Sequence, residues 1–386
     1  MRLIQQVLEI GFGILSLTGL SFYIWQTIAV QRFFQRPKLP PLNPAPPVTI
    51  LVPVCGLEAG AWENWLSLCQ QDYSNYNVLF GVRELSDPAV PLLKQLVQTY
   101  PYLVRWYHCP EILGVNYKIS NLLQLRQYAN GQIIVFVDSD IRVTPDYLAT
   151  VIAPLQNPQL GVVTCGYFDH RPRGLGAALA ALGRCLDFIP SILIARMLDG
   201  GLKFAVGPTI AVRSQVLTQT GAMELAKNRI GDDYRLGYEA AAAGYGVELS
   251  TYVLHNDCGA DSLATVFERE VRWARGIRFN RGSQYYGIGF TFGTVYSLGL
   301  VLISGAPWTV AILGIVWGIR FLQAWTCCQT MNSEKLWAWI WVLPLRDGLS
   351  FLIWLVGCFG RKVHWRGREL ELEPGGYLVE KQGFDY

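Results

Sequence analysis

Two pairs of acidic residues have the types and spacing needed to hold a metal-bound diphosphate and to deprotonate a hydroxyl group. Asp138 and Asp140 follow the apolar residues 132–137, and Asp232 and Asp233 come later in the chain. Carboxylate oxygens bind hard divalent cations such as Mg²⁺ or Mn²⁺, which bridge them to phosphate oxygens. A carboxylate can also accept the proton of an attacking hydroxyl group. The two pairs therefore predict a transfer reaction that uses a nucleotide diphosphate.

Each acidic pair also has a purely structural interpretation. An Asp after a strand often stabilises a turn, so the Asp-x-Asp spacing is weak by itself. An Asp before a helical pattern such as residues 234–243 is often the N-cap and interacts with the helix dipole. We expect Asp232 to have that structural role. We assign Asp138 and Asp140 to the metal and Asp233 to the general base.

A third group of candidates lies on one predicted helix. Arg269 shares a face of this helix with Arg272 and Trp273. Arg keeps its charge and donates through a planar fork, which suits a diphosphate leaving group. The alternative is a basic helix that rests on anionic lipid headgroups, with Trp at the interface. We place Arg269, Arg272 and Trp273 at the diphosphate. Arg269 is assigned to donor binding, and the other two are assigned to catalysis. We expect Arg275 and Arg278 to face the headgroups.

Four further residues are candidates for contacts with the nucleotide. Glu84 and Asp87 follow a predicted strand over residues 78–82, and Asp87 with the next Pro also predicts the N-cap of a helix. Lys118 and Asn121 lie on one face of a later predicted helix. A solvated side chain is the ordinary interpretation of a lysine. We assign all four to donor binding, with Glu84 and Asp87 near the base.

The composition favours a membrane enzyme over an ordinary soluble one. Of the 386 residues, 51% are hydrophobic and 13 are Trp, which is more apolar than typical soluble domains. The net charge of +3 and the absence of a basic stripe in the sequence predict no nucleic-acid partner. The nine cysteines lack the spacing of a zinc site or a disulfide framework, so we expect a reduced, cytoplasmic catalytic region.

The first apolar segment predicts a transmembrane anchor. Residues 10–30 contain no charged side chain and are long enough to cross a bilayer. Basic residues follow at once and place the next region on the cytoplasmic side. The length of the segment and the acidic residue before it favour an anchor over a cleaved signal peptide. We assign residues 1–31 to the anchor and 32–47 to a stiff Pro-rich linker.

Residues 286–360 predict further membrane helices. Their first part suits two crossings joined by a tight turn at Pro307. Their second part carries Arg346 and Asp347, which must pair with each other, face protein or mark a re-entrant break, because charges are costly in lipid. The basic residues that begin the tail, 361–386, indicate the cytoplasmic side. A re-entrant second part reconciles that position with two earlier crossings.

Residues 48–285 predict an α/β domain. Short apolar runs alternate with amphipathic segments, which indicates a mostly parallel sheet with helices on both faces. Ligands bind beyond the carboxyl ends of the strands in such sheets, and the acidic candidates fall there. Helices near 175–199 and 262–280 are expected at the membrane interface. The segment near 175–199 is too broken by charges to span a bilayer. We consider a packed helical pair as good an interpretation of this segment as an interfacial helix.

Together these residues resemble the ceramide glucosyltransferase family, a membrane branch of the GT-A glycosyltransferases, and the related hopanoid-biosynthesis glycosyltransferases. The three aspartates of the family pattern are matched, in order, by Asp87, Asp138 and Asp233. The (Gln/Arg)-x-x-Arg-Trp motif that follows them is matched by Arg269-x-x-Arg272-Trp273. Residues 116–121 are similar to the Asn-x-Lys-x-x-Asn stretch of the family. The resemblance covers most of the chain.

The resemblance implies a Rossmann-like GT-A domain and an inverting, single-addition transfer of a hexose from a UDP-sugar to a lipid hydroxyl. UDP-glucose is the favoured donor and UDP-N-acetylglucosamine the next. A divalent cation, Mg²⁺ or Mn²⁺, is the expected cofactor. The expected location is a membrane, in bacteria the inner membrane, with the catalytic domain on the cytoplasmic face.

Two departures from the family concern the metal and the acceptor. Animal members have Gly at the position of Asp140, and His-Pro where this chain has Ile189-Pro190. The sequence around Asp140 and at residues 343–347 is similar to the bacterial hopanoid relatives. The acceptor therefore stays open between ceramide, which we favour, and a hopanoid or diacylglycerol. A processive polysaccharide synthase is the nearest alternative enzyme, but it usually has Gln at the position of Arg269.

Overall fold

The computed structural model describes residues 2–256 and 261–380, apart from the side chain at position 334. The end of the expected tail, residues 381–386, and residues 257–260 of the expected α/β domain lie outside that description. The chain divides into two units. We call them the sheet unit, formed by Pro37–Tyr167, Ala195–Asp257 and Arg368–Tyr386, and the helical unit, formed by Met1–Arg36, Phe168–Ile194 and Cys258–Gly367.

The strands are β1 (Val48–Val54), β2 (Tyr76–Val82), β3 (Val104–His108), β4 (Ile133–Val137), β5 (Ile141–Arg142), β6 (Leu160–Phe168), β7 (Thr209–Arg213), β8 (Gly246–Asn256), β9 (Lys362–Trp365), β10 (Arg368–Glu373) and β11 (Tyr377–Glu380). The helices are α1 (Arg2–Phe34), α2 (Ala61–Leu68), α3 (Val90–Thr99), α4 (Tyr117–Arg126), α5 (Tyr147–Ile152), α6 (Leu175–Gly183), α7 (Ile189–Leu198), α8 (Ser214–Thr220), α9 (Ala222–Ala226), α10 (Asp232–Ala242), α11 (Leu263–Arg281), α12 (Gly293–Ser304), α13 (Pro307–Thr330), α14 (Glu334–Trp337) and α15 (Leu343–Gly357). A π-helical turn, Arg184–Phe188, joins α6 to α7, and short 3-10 segments lie at Ala153–Gln156, Gly282–Thr291 and Ile340–Val342.

A mixed eight-stranded sheet, in the order β3-β2-β1-β4-β7-β6-β8-β5, forms the centre of the sheet unit. The parallel arrangement predicted from the sequence is confirmed for β3, β2, β1 and β4. The pairs β4/β7, β6/β7 and β5/β8 are antiparallel, so the expectation of a mostly parallel sheet is wrong for the half of the sheet that follows β4. Because the parallel strands end at one edge, the loops after β1, β2 and β4 converge there.

Apolar side chains from both faces of the sheet explain why these runs become strands. Every residue of β4 is buried, and Ile50 and Val52 of β1 are fully buried beside it. Trp65 of α2, also buried, packs in the same core. Its indole N–H donates to the carbonyl of Ser139 at 3.2 Å. The core thus reaches the turn that carries the first acidic pair.

Long apolar helices make up most of the helical unit. By length and composition, four helices within the described residues could cross a membrane: Arg2–Phe34, Leu175–Leu198, Pro307–Thr330 and Ile340–Gly357. Residues 263–291 and 293–304 together form a further candidate, bent by 53°. The second of the four, which we expected to be too broken to span, passes this test. However, 83% of its most apolar window is buried inside the protein, which favours a packing role.

Five charged side chains form a cluster in the helical unit, four of them buried and the fifth, Asp187, half-buried. The Arg320 guanidinium lies 2.6 Å from Asp347 Oδ1 and 2.7 Å from Asp187 Oδ1. Arg346 lies 2.9 Å from Glu270 Oε2 and 3.9 Å from Asp187 Oδ2. Arg346 and Asp347 therefore face protein and have separate partners, the second of the three arrangements predicted for them.

Close packing of α6 against α15 gives Arg346 its place. A Cβ at Gly183 would overlap the Arg346 guanidinium, so glycine at this position leaves space for the guanidinium where it lies. Glu270, on α11, then pairs with Arg346 from the other side. Because α11 also carries Arg269, Arg272 and Trp273, the buried pair fixes the helix that presents them.

Residues 368–380 fold with the sheet unit. Strands β10 and β11 pair antiparallel. The backbone N–H of Ile230 donates to Gly376 at 2.9 Å, and Arg229 donates to the carbonyl of Gly375 at 2.5 Å. The Arg229 guanidinium also stacks 3.7 Å from the ring centre of Tyr377. These contacts hold the segment directly before Asp232 in place. Nothing in the sequence predicts them.

We expect Glu270→Gln to lower the free energy of unfolding by about 3 kcal/mol, because the change leaves the buried Arg346 without a carboxylate at this position. Glu268→Gln is the matched control, since Glu268 is exposed on the same helix. Thermal unfolding of the detergent-solubilised protein compares the two variants. Equal unfolding temperatures for both would show that the Glu270–Arg346 pair contributes nothing to stability.

Candidate active site

The turn after β4 presents the first acidic pair. The Asp138 N–H donates to Pro208 at 3.0 Å, and the Ile141 N–H donates back to Asp138 at 3.3 Å. Together with the indole bond from Trp65, these contacts hold the turn at the carboxyl end of β4. The rigid strand and the buried Trp therefore fix the position of the Asp138 carboxylate.

A lysine connects the two acidic pairs. Lys118 Nζ lies 2.7 Å from Asp138 Oδ1 and 3.2 Å from Asp232 Oδ2. Burial opposes the charge of the ammonium group, but the two carboxylates outweigh it and raise the pKa of Lys118. Burial raises the pKa of Asp138 as well, although Lys118 opposes that shift. Lys118 is thus a charged member of the cluster and not the solvated lysine of the ordinary interpretation.

Asp233 lies beside this cluster and accepts two backbone hydrogen bonds. Its Oδ2 accepts from the N–H of Gly207 at 2.6 Å, and its Oδ1 from the N–H of Tyr234 at 2.8 Å. Burial and the neighbouring Asp232 raise the pKa of the Asp233 carboxyl to about 6, although both N–H groups and Lys118 oppose the shift. The group is therefore ionised at neutral pH but more basic than an ordinary aspartate.

The expected N-cap role of Asp232 is wrong. Helix α10 begins at Asp232, and its N-cap is Gly231, whose φ of 72° is in the left-handed region that favours glycine. Asp232 is therefore in the first turn, where the helix dipole still favours its charge. Its carboxylate binds Lys118, so Asp232 is a member of the site that the sequence interpretation missed.

The N-cap role of Asp87 is also wrong, by two residues. Helix α3 begins at Val90 and is capped by Ala89. Asp87 instead accepts hydrogen bonds from the N–H groups of Ala89 and Gly56, each at 2.8 Å. It thereby joins the loop after β1 to the loop after β2. Glu84 is exposed and pairs with Arg83 at 2.9 Å.

Asn121 lies on the same helix as Lys118 but has a different neighbour. Its amide N–H donates to the carbonyl of Gly81 at 2.8 Å, inside the protein. Its Oδ1 is buried and has no hydrogen-bond partner among the described residues. An amide oxygen can accept a hydrogen bond, but this one is enclosed next to Gly81 in the described structure.

The oxygen ligands at the end of β4 fit a cation that binds together with a diphosphate. Asp140 Oδ2 accepts from the Asn256 amide at 2.9 Å, and Asp138 already holds the Lys118 ammonium. The described residues contain no group of three or more His, Cys, Asp or Glu side chains that could hold a metal ion. Mg²⁺ commonly binds one or two carboxylates and takes its other ligands from water and substrate phosphates.

The remaining candidates belong to the helical unit. Arg269 donates to Asp261 Oδ2 at 2.6 Å, and its Nε and Nη2 are buried without a hydrogen-bond partner among the described residues. The guanidinium groups of Arg269 and Arg184 each lie 5.5 Å from the ring centre of Trp273. Arg272 lies over Trp365 at 5.8 Å. The helical spacing predicted for this group is confirmed by α11.

The sequence candidates thus fall into three sets. The structure brings together Lys118, Asp138, Asp232 and Asp233, which line one small cleft with Gly207. Asp87 joins two loops at the same edge of the sheet, while Glu84, Asn121 and Asp140 have other partners. The Arg–Trp group is built on α11 of the helical unit.

Comparison with known proteins identifies the family of this chain. The model of glycosyl transferase family 21 matches residues 11–378. Ceramide glucosyltransferase 1 of Caenorhabditis elegans is 21% identical over 386 residues, which covers 95% of this chain and 82% of that protein. Ceramide glucosyltransferase 3 of the same species is 23% identical over 244 residues, and there the match covers 60% of this chain and only half of the relative. The resemblance predicted from the motifs is confirmed.

Among solved structures, the mannosyltransferase PcManGT from Pyrobaculum calidifontis, in complex with GDP-Man and Mn²⁺, has a similar fold. The TM-score is 0.52 at 16% sequence identity, and the match covers 92% of this chain and 97% of the other. At this identity the likeness concerns the fold alone. It agrees with the predicted GT-A architecture.

We expect Lys118→Gln to lower the free energy of unfolding by about 2 kcal/mol, because the buried carboxylates lose their counter-charge. Mn²⁺ should restore more stability to this variant than to the unmodified protein, since the cation replaces the lost ammonium group. Thermal unfolding with EDTA and with Mn²⁺ measures both effects. The control is Lys94→Gln, a change at an exposed lysine of α3, which should neither lower the stability nor increase the response to Mn²⁺. If Mn²⁺ stabilised both variants equally, the expectation for Lys118 would be contradicted.

Proposed function

Because the chain belongs to glycosyl transferase family 21, we propose that it transfers a hexose from a UDP-sugar to the hydroxyl group of a membrane lipid. Glucose is the favoured sugar and ceramide the favoured acceptor, as in the names of the relatives. The transfer inverts the anomeric configuration in a single displacement. The observation that carries this proposal is the cluster of Lys118, Asp138, Asp232 and Asp233 at the ends of β4 and α10.

Asp138 and Asp140 are the proposed ligands of a Mg²⁺ or Mn²⁺ ion. When bound, such an ion neutralises the charge of a diphosphate and stabilises it as a leaving group. Lys118 contributes a second positive charge next to Asp138. Asp87 and Glu84 are proposed near the uracil ring and Asn121 at the nucleotide, where its free amide oxygen is an acceptor.

Asp233 is the proposed general base. Both of its oxygens accept one N–H each, and a carboxylate oxygen keeps a further lone pair for the acceptor hydroxyl. A pKa of about 6 gives it enough basicity to take a proton while it stays ionised near neutral pH. One base and direct attack on the anomeric carbon suit inversion, because no covalent sugar intermediate is needed.

Arg269, Arg272 and Trp273 are proposed to stabilise the departing diphosphate. The support comes from the family motif and from Arg269, which has two guanidinium nitrogens without partners among the described residues. A partly buried cation with two donor nitrogens not bonded to the described residues suits an oxyanion that gains charge in the transition state. The neighbouring Trp273 ring restricts where the guanidinium can lie.

The apolar helices of the helical unit support a lipid acceptor and a membrane location. Basic residues after α1 and after α15 favour the cytoplasmic face for the sugar-transfer domain, in bacteria at the inner membrane. A hopanoid or diacylglycerol acceptor with UDP-N-acetylglucosamine is the second candidate, favoured by the sequence at residues 343–347. A processive polysaccharide synthase is less well supported, because Arg269 stands where such enzymes usually have Gln.

The roles of the acidic residues can be separated by binding and turnover. Asp233→Asn should lower kcat by about 10³-fold and leave UDP affinity nearly unchanged, because a general base contributes in the transition state. Asp138→Asn should weaken UDP binding that depends on Mn²⁺. The kcat/KM of the unmodified enzyme should fall below a pH of about 6, where Asp233 becomes protonated.

Calorimetry with UDP and Mn²⁺, together with initial rates, measures these quantities. Asp72→Asn, at an exposed position, is the control for the loss of one carboxylate. If Asp233→Asn lost UDP binding while Asp138→Asn kept it, the two roles would be reversed.

The substrates are best tested with one matched panel. Purified enzyme is supplied with UDP-glucose or UDP-N-acetylglucosamine, each with ceramide, diacylglycerol or bacteriohopanetetrol, and products are identified by mass spectrometry. We expect glucosylceramide with one sugar as the main product. If only the hopanoid were turned over, the proposed acceptor would be wrong but the proposed transfer reaction would still hold. Products that carry increasing numbers of sugars would instead support a polysaccharide synthase.

A further inference from the structure

The helical unit contains a cavity whose lining shares no residue with the small cleft of the acidic cluster. Its volume is about 630 Å³, within the range of small-molecule sites. It lies between the end of α11, the 3-10 segment after it and the end of α15. The lining residues are Arg278, Phe279, Gly282, Ser283, Tyr286, Cys358, Phe359, Gly360 and Arg361.

Arginines give this cavity a positive charge. Arg278 donates to the backbone carbonyls of Cys358 and Gly360, which fixes its guanidinium at the cavity wall. Next to it, Arg275 donates to the carbonyl of Phe359 at 3.1 Å. Arg361 is exposed and lines the same space. Within the described residues, none of the three arginines forms a salt bridge with an acidic side chain, so their charges are offset only by the weak dipole at the end of α15.

Exposed apolar side chains adjoin these charges. Phe359 is 66% exposed and Tyr286 is 50% exposed, and both line the cavity. Ile277, Ile288 and Phe290 on the neighbouring segments are exposed as well. Half-buried and exposed guanidinium groups beside exposed aromatic and aliphatic groups form an amphipathic surface, which a fully hydrated ligand would cover only in part.

The sequence around the cavity changes from apolar to polar. The candidate membrane segment Ile340–Gly357 ends directly before Cys358, and basic residues follow from Arg361 onward. In a membrane-embedded protein this is the level of the lipid headgroups, where basic pockets between helices bind phosphate groups.

We propose that this cavity binds the phosphate headgroup of an anionic glycerophospholipid such as phosphatidylglycerol. The phosphate accepts hydrogen bonds from the free donors of Arg278 and Arg361, and the acyl chains lie against Phe359 and Tyr286. This inference rests on the membrane location proposed above, but not on the sugar donor or the acceptor. A soluble phosphate shares the charge of the headgroup but has no chains to cover the apolar rim.

The test uses the full-length protein in nanodiscs, without UDP-sugar, so that its result does not depend on catalysis. The discs contain phosphatidylcholine with a minor fraction of phosphatidylglycerol. Lipids that remain with the protein after a mild detergent wash are counted by mass spectrometry. We expect phosphatidylglycerol to be enriched over phosphatidylcholine, and Arg361→Gln to reduce that enrichment about fivefold, as expected for one basic residue near an anionic lipid surface.

Two further variants keep the test specific. Ser283→Glu puts a carboxylate into the cavity and should reduce the enrichment at least as much, with the fold checked by thermal unfolding. Arg105→Gln changes an exposed arginine of β3, which does not line the cavity, and should retain the enrichment. Equal retention of both lipids, or no effect of Arg361→Gln, would overturn the proposal. Displacement of the lipid by glycerol phosphate at low concentration would also overturn it in favour of a soluble phosphate ligand.

Discussion

Burial of charge among apolar helices is the constraint on which the helical unit depends. An isolated buried ion is so costly that it must have partners, and each partner must come from a specific helix in a specific register. Arg320 is paired with Asp347 and Asp187, and Arg346 with Glu270. Four segments separated in sequence are thereby joined: the π-helical turn, α11, α13 and α15. Apolar packing alone would allow these helices to slide or rotate, whereas the ion pairs specify one arrangement.

The same constraint operates in the sheet unit, with a different outcome. Lys118 lies between carboxylates that come from β4 and α10, and its ammonium group holds together side chains that would otherwise repel each other. In the helical unit two arginines pair with three carboxylates, and of the five groups only Asp187 is partly exposed. In the sheet unit three carboxylates lie around one lysine, and they include the ligand and the base proposed above for sugar transfer. The ion pairs of the helical unit join helices, whereas the cluster of the sheet unit contains the residues to which we assign the proposed chemistry.

Those features of the fold and the site that depend on a local pattern of residues could be predicted from the sequence. Asp138 could be placed because a fully apolar run directly precedes it and such a run becomes a buried strand. The helix under Arg269, Arg272 and Trp273 followed from periodicity. The roles of Asp232 and Asp87 were missed because they depend on where a helix begins, and a shift of one or two residues converts an N-cap into a first-turn or loop residue.

Partners distant in sequence could not be predicted at all. Nothing local indicates that Lys118 meets Asp232, that Arg320 meets Asp187, or that β7 lies antiparallel beside β4. These pairings result from the three-dimensional path of the chain. The adjacent Arg346 and Asp347 illustrate the limit, because their sequence suggested mutual pairing among other arrangements, yet neighbouring positions on a helix point to different sides.

Because residues 368–380 return to the sheet unit, some contacts near the acidic cluster can form only late in the synthesis of the chain. Arg229 and Ile230, directly before the turn into α10, bind backbone carbonyls of Gly375 and Gly376. The ribosome makes those glycines only after it has made every apolar helix described above. The segment leading to Asp232 and Asp233 therefore acquires these contacts only after residues 375 and 376 have been made, so this part of the acidic cluster is completed after the apolar helices have been synthesised.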